Sequence, residues 1–222
     1  GGLYLLSMDR IVVQRSGPLA GEVQVPGAKN SVLKLMVASL YSAGTHELTN
    51  VPAISDVKTM GKLLESLGLT VEHGIGESGV LRLTNSGTIA TVAPPELVTS
   101  IRASINLLGP LLACRGRVRL DMPGGDDFGS RPIDMHVAGL TAMGVRFDIN
   151  DNALSAEVDH LIGAHITLDF PSVGATENLL TAAVHADGTT TISNAAREPE
   201  VADLCDLLVE MGAKITGIGS AC

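Results

Sequence analysis

The chain has 222 residues, of which 45% are hydrophobic and only 2% are aromatic. The low aromatic content argues against the stacking platforms that bind single-stranded nucleic acid. The 15 Lys and Arg residues against 24 Asp and Glu residues give a formal net charge of −9, which argues against the wide basic surface that a nucleic-acid backbone requires. No apolar stretch is long enough to span a bilayer, and the three cysteines form neither a CxxC pair nor a cluster with histidines. We therefore expect a cytoplasmic globular protein without a metal, nucleic-acid or membrane partner.

The first part of the chain predicts the order strand, helix, strand, helix, strand. Residues 22–25 alternate polar and β-branched side chains, which is typical of a short strand. Residues 32–40 predict a helix that is apolar on nearly all sides. The next helix is amphipathic, because apolar residues recur on one side at helical spacing: Val57, Met60, Leu63, Leu64 and Leu67. Gly68 is expected to end this helix in a left-handed conformation, and residues 80–84 predict a closing strand.

The same order of elements returns further along the chain. The elements predicted for the middle copy are a helix at 101–114, a strand at 117–122, a helix at 133–143 that ends at Gly144, and a strand at 153–158. A third copy begins with a predicted strand at 165–168, and its second helix ends at Gly212. These patterns favour an α/β fold.

The copies are related by sequence as well as by pattern. Residues 44–71 match residues 188–215 without a gap, so that Asn50 falls on Asn194. We predict three βαβαββ repeats, at about residues 21–92, 93–162 and 163–222. The chain stops where the last strand of the third repeat would begin, which indicates a truncated domain. The alternative is an edge strand that the fold omits.

The loop PGAKNS, at residues 26–31, stands where the first predicted strand leads into the first helix. Gly27 allows the backbone to approach a ligand, and Lys29 places a positive charge beside a helix N-terminus. Both features favour an anion-binding site. The alternative is a surface turn with a solvated lysine.

Three other positions have comparable chemistry. A glycine-rich loop at residues 123–130 holds the adjacent carboxylates Asp126 and Asp127 and leads to Arg131, which is typical either of a lid that carries an acid or of an exposed acidic turn. Ser172 stands at the position equivalent to the first loop, where it caps the following helix or donates to a ligand. Arg102 begins an otherwise apolar helix and either reaches the surface or clamps an anion.

In combination, five motifs resemble those of UDP-N-acetylglucosamine enolpyruvyl transferases. They are PGAKNS at 26–31, RAS with LGPLLA at 102–113, GG-x-x-x-G-S-RP-x-D-x-H at 124–136, SVGATEN at 172–178 and NAAREPE at 194–200. The resemblance extends over about residues 9–219. It implies an inverse α/β barrel, or prism, and an enzyme of two similar domains with the active site between them. This chain would be the N-terminal domain, and its residues 1–20 would pack with the missing C-terminal domain.

The resemblance also implies a reaction. Enzymes of this kind transfer the enolpyruvyl group of phosphoenolpyruvate to the 3-hydroxyl of UDP-N-acetylglucosamine, release phosphate, and use no metal or organic cofactor. The transfer is the first committed step of peptidoglycan synthesis. Because part of the family's active site belongs to the C-terminal domain, we expect this chain alone to be inactive.

The family's functional residues are carried over position by position. Lys29 matches a lysine that contacts phosphoenolpyruvate, and Asn30 matches a residue that holds the sugar nucleotide. Arg102 and Arg131 match arginines that face phosphate and carboxylate groups. The resemblance assigns the uridine to Pro132, Ile133, Asp134 and Met135, and the diphosphate to Ser172, Val173 and Gly174. Phe170 departs from a lysine found in some members, which puts the diphosphate contacts in doubt.

Asp126 is the most informative departure, because many members have cysteine at this position. That cysteine protonates phosphoenolpyruvate and is alkylated by fosfomycin. An aspartate is able to act as the general acid if its pKa is raised by burial or by a like charge. A carboxylate is a poorer nucleophile than a thiolate, so the resemblance implies fosfomycin resistance.

Two alternatives remain open at the level of sequence. The chain could be a free-standing domain that binds a sugar nucleotide or a protein, in which case its cleft face should be polar. It could also be a sister enolpyruvyl transferase that uses another acceptor, such as shikimate 3-phosphate. The uridine-type residues Arg131 to Asp134 argue against the second alternative.

Overall fold

The computed structural model describes residues 12, 14–74, 79–122, 133–150 and 152–222. Three successive units of helices and strands occur in these ranges, so the predicted α/β class is confirmed. None of the helices in these ranges is long and apolar enough to cross a membrane. Cys114, Cys205 and Cys222 are free thiols.

The first unit contains two helices and a three-stranded sheet. Its elements are α1 (Lys29–Ala38), β1 (Gly44–Leu48), α2 (Ser55–Ser66), β2 (Leu69–His73) and β3 (Leu81–Asn85). Strand β3 lies between β1 and β2 and is antiparallel to both. The amphipathic pattern of α2 is confirmed, since its five predicted apolar residues are buried whereas Lys58, Lys62 and Glu65 are exposed.

The second unit has the same sheet arrangement with additional short helices. Its elements are α3 (Pro95–Val98), the 3₁₀ helix η1 (Arg102–Leu107), α4 (Leu108–Arg115), β4 (Arg117–Asp121), α5 (Asp134–Ala142), β5 (Arg146–Ile149) and β6 (Ala153–Glu157). Strand β6 pairs antiparallel with β4 and β5. The helix predicted at 101–114 is therefore two helices in series. Pro110 explains the break, because it has no N–H to continue an α-helical ladder from η1.

The third unit is shorter. Its elements are β7 (His165–Thr167), α6 (Val173–Ala183), β8 (Thr191–Ser193) and α7 (Pro199–Glu210). Strands β7 and β8 form a parallel pair. Residues 213–222 are described and contain no strand.

Backbone conformation supports the relation between the units. Asn50 and Asn194, which are matched by sequence, adopt left-handed φ angles of 55° and 56°. Asparagine tolerates this region better than most residues with a side chain. The three glycines predicted to end helices, Gly68, Gly144 and Gly212, also have positive φ, at 107°, 96° and 104°. The predicted helix ends are thus confirmed in all three units.

The strand predicted at residues 22–25 is wrong. These residues are described but belong to no strand, and Val23 and Val25 are 87% and 73% exposed. In the third unit, by contrast, β7 pairs with β8, and Ile166 is buried. In the second unit the corresponding contact is reduced to one isolated bridge, between Val92 and Arg119. An alternating pattern forms a strand only where a neighbouring strand pairs with it, and the structure shows no such pairing for residues 22–25.

Helices occupy the interior, and the sheets turn their polar faces outward. In β4, for example, Val118 and Leu120 are buried whereas Arg117 and Arg119 are exposed. Helix α6 contacts α4 and α5, and α1 contacts both α2 and α7. The α1–α7 contact joins the first unit to the third and includes a hydrogen bond from Ser31 to the carboxylate of Asp203.

Candidate functional site

A cleft with a volume of about 530 Å³ opens where helices from all three units meet. Its polar and charged lining comprises Lys29, Asn30, Lys34, Asp56, Ser100, Arg102, Asn106, His136, Ser172 and Glu177. Apolar and small residues complete it, including Leu33, Ile101, Met135, Phe170, Val173 and Gly174. The cleft therefore gathers side chains that are separated by more than half of the sequence.

The first turns of two long helices face this cleft. Lys29 and Asn30 begin α1, and Val173 and Gly174 begin α6. Unpaired N–H groups and the helix dipole make such ends favourable for anions. Ser172 caps α6 by accepting a 3.3 Å hydrogen bond from the N–H of Ala175, so the predicted capping role of Ser172 is confirmed.

The position of Lys29 depends on a close backbone contact just before it. A side chain at Gly27 would overlap the carbonyl oxygen of Asn50, so only glycine lets the loop pass here. Lys29 then forms a 2.6 Å ion pair with Asp56 of α2. Asn30 donates a 3.3 Å hydrogen bond to Glu200 of α7. Both predicted ligand-binding residues thus have protein partners that an incoming anion would have to displace or share.

A second ion pair is buried at the floor of the cleft. The Nζ of Lys34 lies 3.3 Å from Oε2 of Glu177, and the two side chains are 11% and 1% exposed. Neither carboxylate oxygen of Glu177 has a hydrogen bond of good geometry to any part of the chain that the structure describes. Burial raises the pKa of Glu177 to about 7, even though Lys34 opposes this shift.

His136 and Asn178 form a buried polar network beside this pair. The Nδ2 of Asn178 donates to the carbonyl oxygen of Ile105 at 3.0 Å and lies 2.9 Å from Nδ1 of His136, while its Oδ1 accepts from the N–H of Gly109 at 3.0 Å. Since Asn178 donates to His136, the imidazole carries its proton on Nε2 when neutral. Burial and then Arg102 lower the pKa of His136 to about 4, so it is neutral at pH 7.

The charges of the cleft are suited to binding an anion. Lys29, Lys34 and Arg102 supply three cations against the carboxylates of Asp56 and Glu177. The described residues contain no group of three or more His, Cys, Asp or Glu side chains that could share a metal ion. Arg102 also influences the neighbouring imidazole of His136 electrostatically. The arrangement can therefore bind and orient phosphate or carboxylate groups at two helix ends.

Comparison with known proteins identifies the family. The family model of EPSP synthase (3-phosphoshikimate 1-carboxyvinyltransferase) matches residues 13–221. The chain belongs to this enolpyruvyl transferase family. Among its relatives, the UDP-N-acetylglucosamine 1-carboxyvinyltransferase of Corynebacterium jeikeium is 52% identical over 212 residues, which make up 96% of this chain and 50% of the relative. The protein of the same name from Mycobacterium leprae is 50% identical over 213 residues, with the same coverage.

Solved structures agree on the fold. The enolpyruvyl transferase NikO from Streptomyces tendae superposes with a TM-score of 0.78 at 23% identity, covering 89% of this chain and 46% of that one. An EPSP synthase from Acinetobacter baumannii gives 0.69 at 18% identity, covering 88% and 44%. The enolpyruvyl transferase fold is therefore confirmed. The chain spans about half the length of the curated relatives it matches.

Most of the residues predicted for this enolpyruvyl transferase site meet in the cleft. The predicted residues that line it are Lys29, Asn30, Arg102, Met135, Ser172, Val173 and Gly174. Ile133 and Asp134 lie directly before Met135 but are not part of the lining. Asp126, Arg131 and Pro132 lie outside the described residues.

Sequence reasoning assigned no role to four titratable residues of the cleft: Lys34, Asp56, His136 and Glu177. His136 and Glu177 are letters of the recognised motifs. Lys34 was detectable as a lone charge in an otherwise apolar helix, a pattern that predicts either a buried partner or an exposed end. Asp56 gave no signal, because its partner Lys29 is distant in sequence.

Proposed function

We propose that this chain forms half of an enzyme that transfers the enolpyruvyl group of phosphoenolpyruvate to the 3-hydroxyl of UDP-N-acetylglucosamine. The observation that carries the proposal is the cleft, in which two helix N-termini and three cations meet residues matched to the UDP-N-acetylglucosamine enzymes. Both substrates are anionic, so this charge arrangement suits them. The relatives at about 50% identity bear the name of the same reaction. The pathway would be peptidoglycan synthesis, in the cytoplasm.

The proposed roles follow the resemblance. Lys29 would bind phosphoenolpyruvate after leaving Asp56, and Asn30 would hold the sugar nucleotide. Arg102 and Arg131 would bind phosphate and carboxylate groups. The residues from Pro132 to Met135 would hold the uridine, and the α6 N-terminus, from Ser172 to Gly174, would bind the diphosphate.

Phosphate release tests this function. The chain is combined with the C-terminal half of a close relative and supplied with phosphoenolpyruvate and either UDP-N-acetylglucosamine or shikimate 3-phosphate. We expect release only with the sugar nucleotide and only when both halves are present. Release with shikimate 3-phosphate alone would overturn the proposed acceptor, and release by this chain alone would overturn the half-enzyme proposal.

Asp126 is proposed as the general acid that protonates the methylene carbon of phosphoenolpyruvate. The reassembled enzyme is then expected to keep its activity during incubation with fosfomycin, because a carboxylate opens the epoxide poorly. The variant Asp126→Cys should become sensitive, and Asp127→Cys serves as the matched control. Rapid covalent inactivation of the unaltered enzyme contradicts the proposal.

A further inference from the structure

The buried pair Lys34–Glu177 is not needed by any of the roles proposed above. The two residues lie between the floor of the cleft and a small void that Val37, Asn106 and Thr181 also line. Lys34 comes from α1 and Glu177 from α6, the two helices whose N-termini face the cleft. The pair is therefore directly below the region where an anion would bind.

The environment of Glu177 is unfavourable for a carboxylate that serves only as packing. Its side chain is 1% exposed, and neither oxygen has a hydrogen bond of good geometry within the described ranges. The cationic neighbour that the structure describes for it is Lys34, at 3.3 Å. Burying two charges in this way costs more than burying apolar residues of the same size. An incompletely satisfied buried group of this kind calls for an explanation, such as a functional role.

Charged groups on α1 and α7, and one just before α7, act on Glu177. Lys34 on α1 favours its ionised form, whereas Glu200 of α7 and the preceding Glu198 disfavour it. Arg102 of η1 lines the same cleft. His136 of α5 is neutral near pH 7, and α4 presents Gly109 and apolar residues to α6. The resulting pKa of about 7 means that a small change in local charge is enough to move a proton on or off Glu177.

We propose that Glu177 is a positioning residue that controls the availability of Lys34 to an anionic ligand. In the free protein, ionised Glu177 holds the Lys34 ammonium at the cleft floor. When an anion binds above, those Glu177 carboxylates that are still ionised take up a proton from solvent, and the ammonium turns its charge toward the ligand. This inference rests on the proposed function in one respect, because it assumes that the cleft binds an anion. It does not depend on which anion the enzyme uses.

The test is a titration of the Glu177 side-chain carboxyl by carbon-13 NMR, with and without sulfate. Sulfate is a suitable probe because it does not titrate near neutral pH. We expect the midpoint of Glu177 to rise by about one pH unit when sulfate binds, as a nearby negative charge disfavours the carboxylate. The signal is assigned by its loss in Glu177→Gln. In Lys34→Met the midpoint should already be raised without sulfate and should respond little to it.

Glu47→Gln is the matched control, because Glu47 forms a 2.8 Å ion pair with Arg82 on an exposed strand away from the cleft. This variant should titrate like the unaltered protein. The proposal is overturned if sulfate does not change the Glu177 midpoint. It is also overturned if sulfate shifts the midpoint equally in Lys34→Met and in the unaltered protein.

A calorimetric measurement keeps the test decisive if Lys34→Met does not fold. Sulfate binding at about pH 7 is measured in two buffers of different ionisation enthalpy. The unaltered chain should take up a fraction of a proton, whereas the near-isosteric Glu177→Gln should take up none. Equal proton uptake by both proteins contradicts the proposal. Because only sulfate is used, failure of UDP-N-acetylglucosamine to bind would overturn the proposed function and leave this inference standing.

Discussion

The outer sheets and the cleft floor use charged residues in opposite ways. On the sheets, Arg82 pairs with Glu47, and Arg146 pairs with Glu157, on faces that are open to solvent. At the cleft floor, Lys34 and Glu177 are almost completely buried. Water already stabilises the first kind of charge, so pairing adds little. A buried charge depends on its protein partner instead of on water. Removing one member of an ion pair should therefore cost far more stability at the cleft floor than on the sheets.

Removing Lys34 should have the largest effect. The variant Lys34→Met leaves the buried Glu177 carboxyl without its cationic partner, so that it must be buried as an unpaired charge or take up a proton, at a cost of up to about 3–5 kcal/mol of unfolding free energy at about pH 8. The loss should shrink at about pH 5, where Glu177 is protonated. Urea denaturation at both pH values measures it. The double variant Lys34→Met/Glu177→Leu should recover most of the loss, and a loss that the double variant does not recover would show that Lys34 stabilises the fold in some other way.

The pH dependence of stability should change next most strongly in Glu177→Gln. The pKa of Glu177 is raised from 4.5 to about 7, so the folded state holds the proton more tightly than the unfolded state. This stabilisation is complete below pH 4.5 and is lost as the pH rises through about 7. Relative to Glu177→Gln, the unaltered chain should therefore lose roughly 3 kcal/mol over this range. Parallel stability curves for the two proteins would contradict the expectation.

The titration of His136 should change the unfolding free energy with pH in the direction opposite to that of Glu177. Its pKa is lowered from 6.5 to about 4, so its contribution is present above pH 6.5 and is lost as the pH falls toward 4. The two buried groups partly cancel in the unaltered chain. Removing Glu177 should consequently expose a steeper loss of stability in acid, whereas the surface control Glu47→Gln should leave the profile unchanged.

The contact between α4 and α6 allows a tightly packed glycine, Gly109, to be compared with an open one, Gly17. A Cβ at Gly109 would lie 2.5 Å from the carbonyl oxygen of Asn178, so Gly109→Ala must push two helices apart. We expect a cost of about 2 kcal/mol, measured by urea denaturation. Gly17→Ala, at a site with nothing within 4 Å, is the control and should change stability by less than about 0.5 kcal/mol. Similar costs at both sites would mean that the helices adjust freely.

The smallest effect is expected on the sheet. Arg82→Ala removes the 2.8 Å ion pair with Glu47, in which both side chains are about half exposed. Such pairs contribute less than about 1 kcal/mol, and salt screens them. Denaturation in low and high salt checks this value. If Arg82→Ala lost as much unfolding free energy as Lys34→Met, the exposed sheets and the buried cleft floor would not differ in how they use charged residues.

Sequence patterns predicted the helices well because a helix and its end depend mainly on residues that are close together in the sequence. The apolar stripe of α2 and the glycines that end three helices were confirmed. Residues 22–25 show the limit of such patterns, since alternation cannot reveal whether a neighbouring strand is present. The break between η1 and α4 was signalled by Pro110 but was not anticipated.

The site was predicted from motifs, and its interior was not. Lys29, Arg102 and Ser172 were singled out from their loops and do line one cleft. The pairing of Lys34 with Glu177 could not be predicted, because it joins the first and third units and neither residue has a partner nearby in sequence. Charges in apolar helices are the signal to follow in similar chains.

The packing of α7 against α1 closes the three units into a ring. In a linear array of repeats, the first and last members expose an apolar side and need specialised capping units. Here α1 meets α7, η1 of the second unit meets α1, and α6 of the third meets α4, so that every unit has two neighbours. Among the described units none is terminal, and the cleft is lined by residues of all three, so a ligand can touch every unit at once.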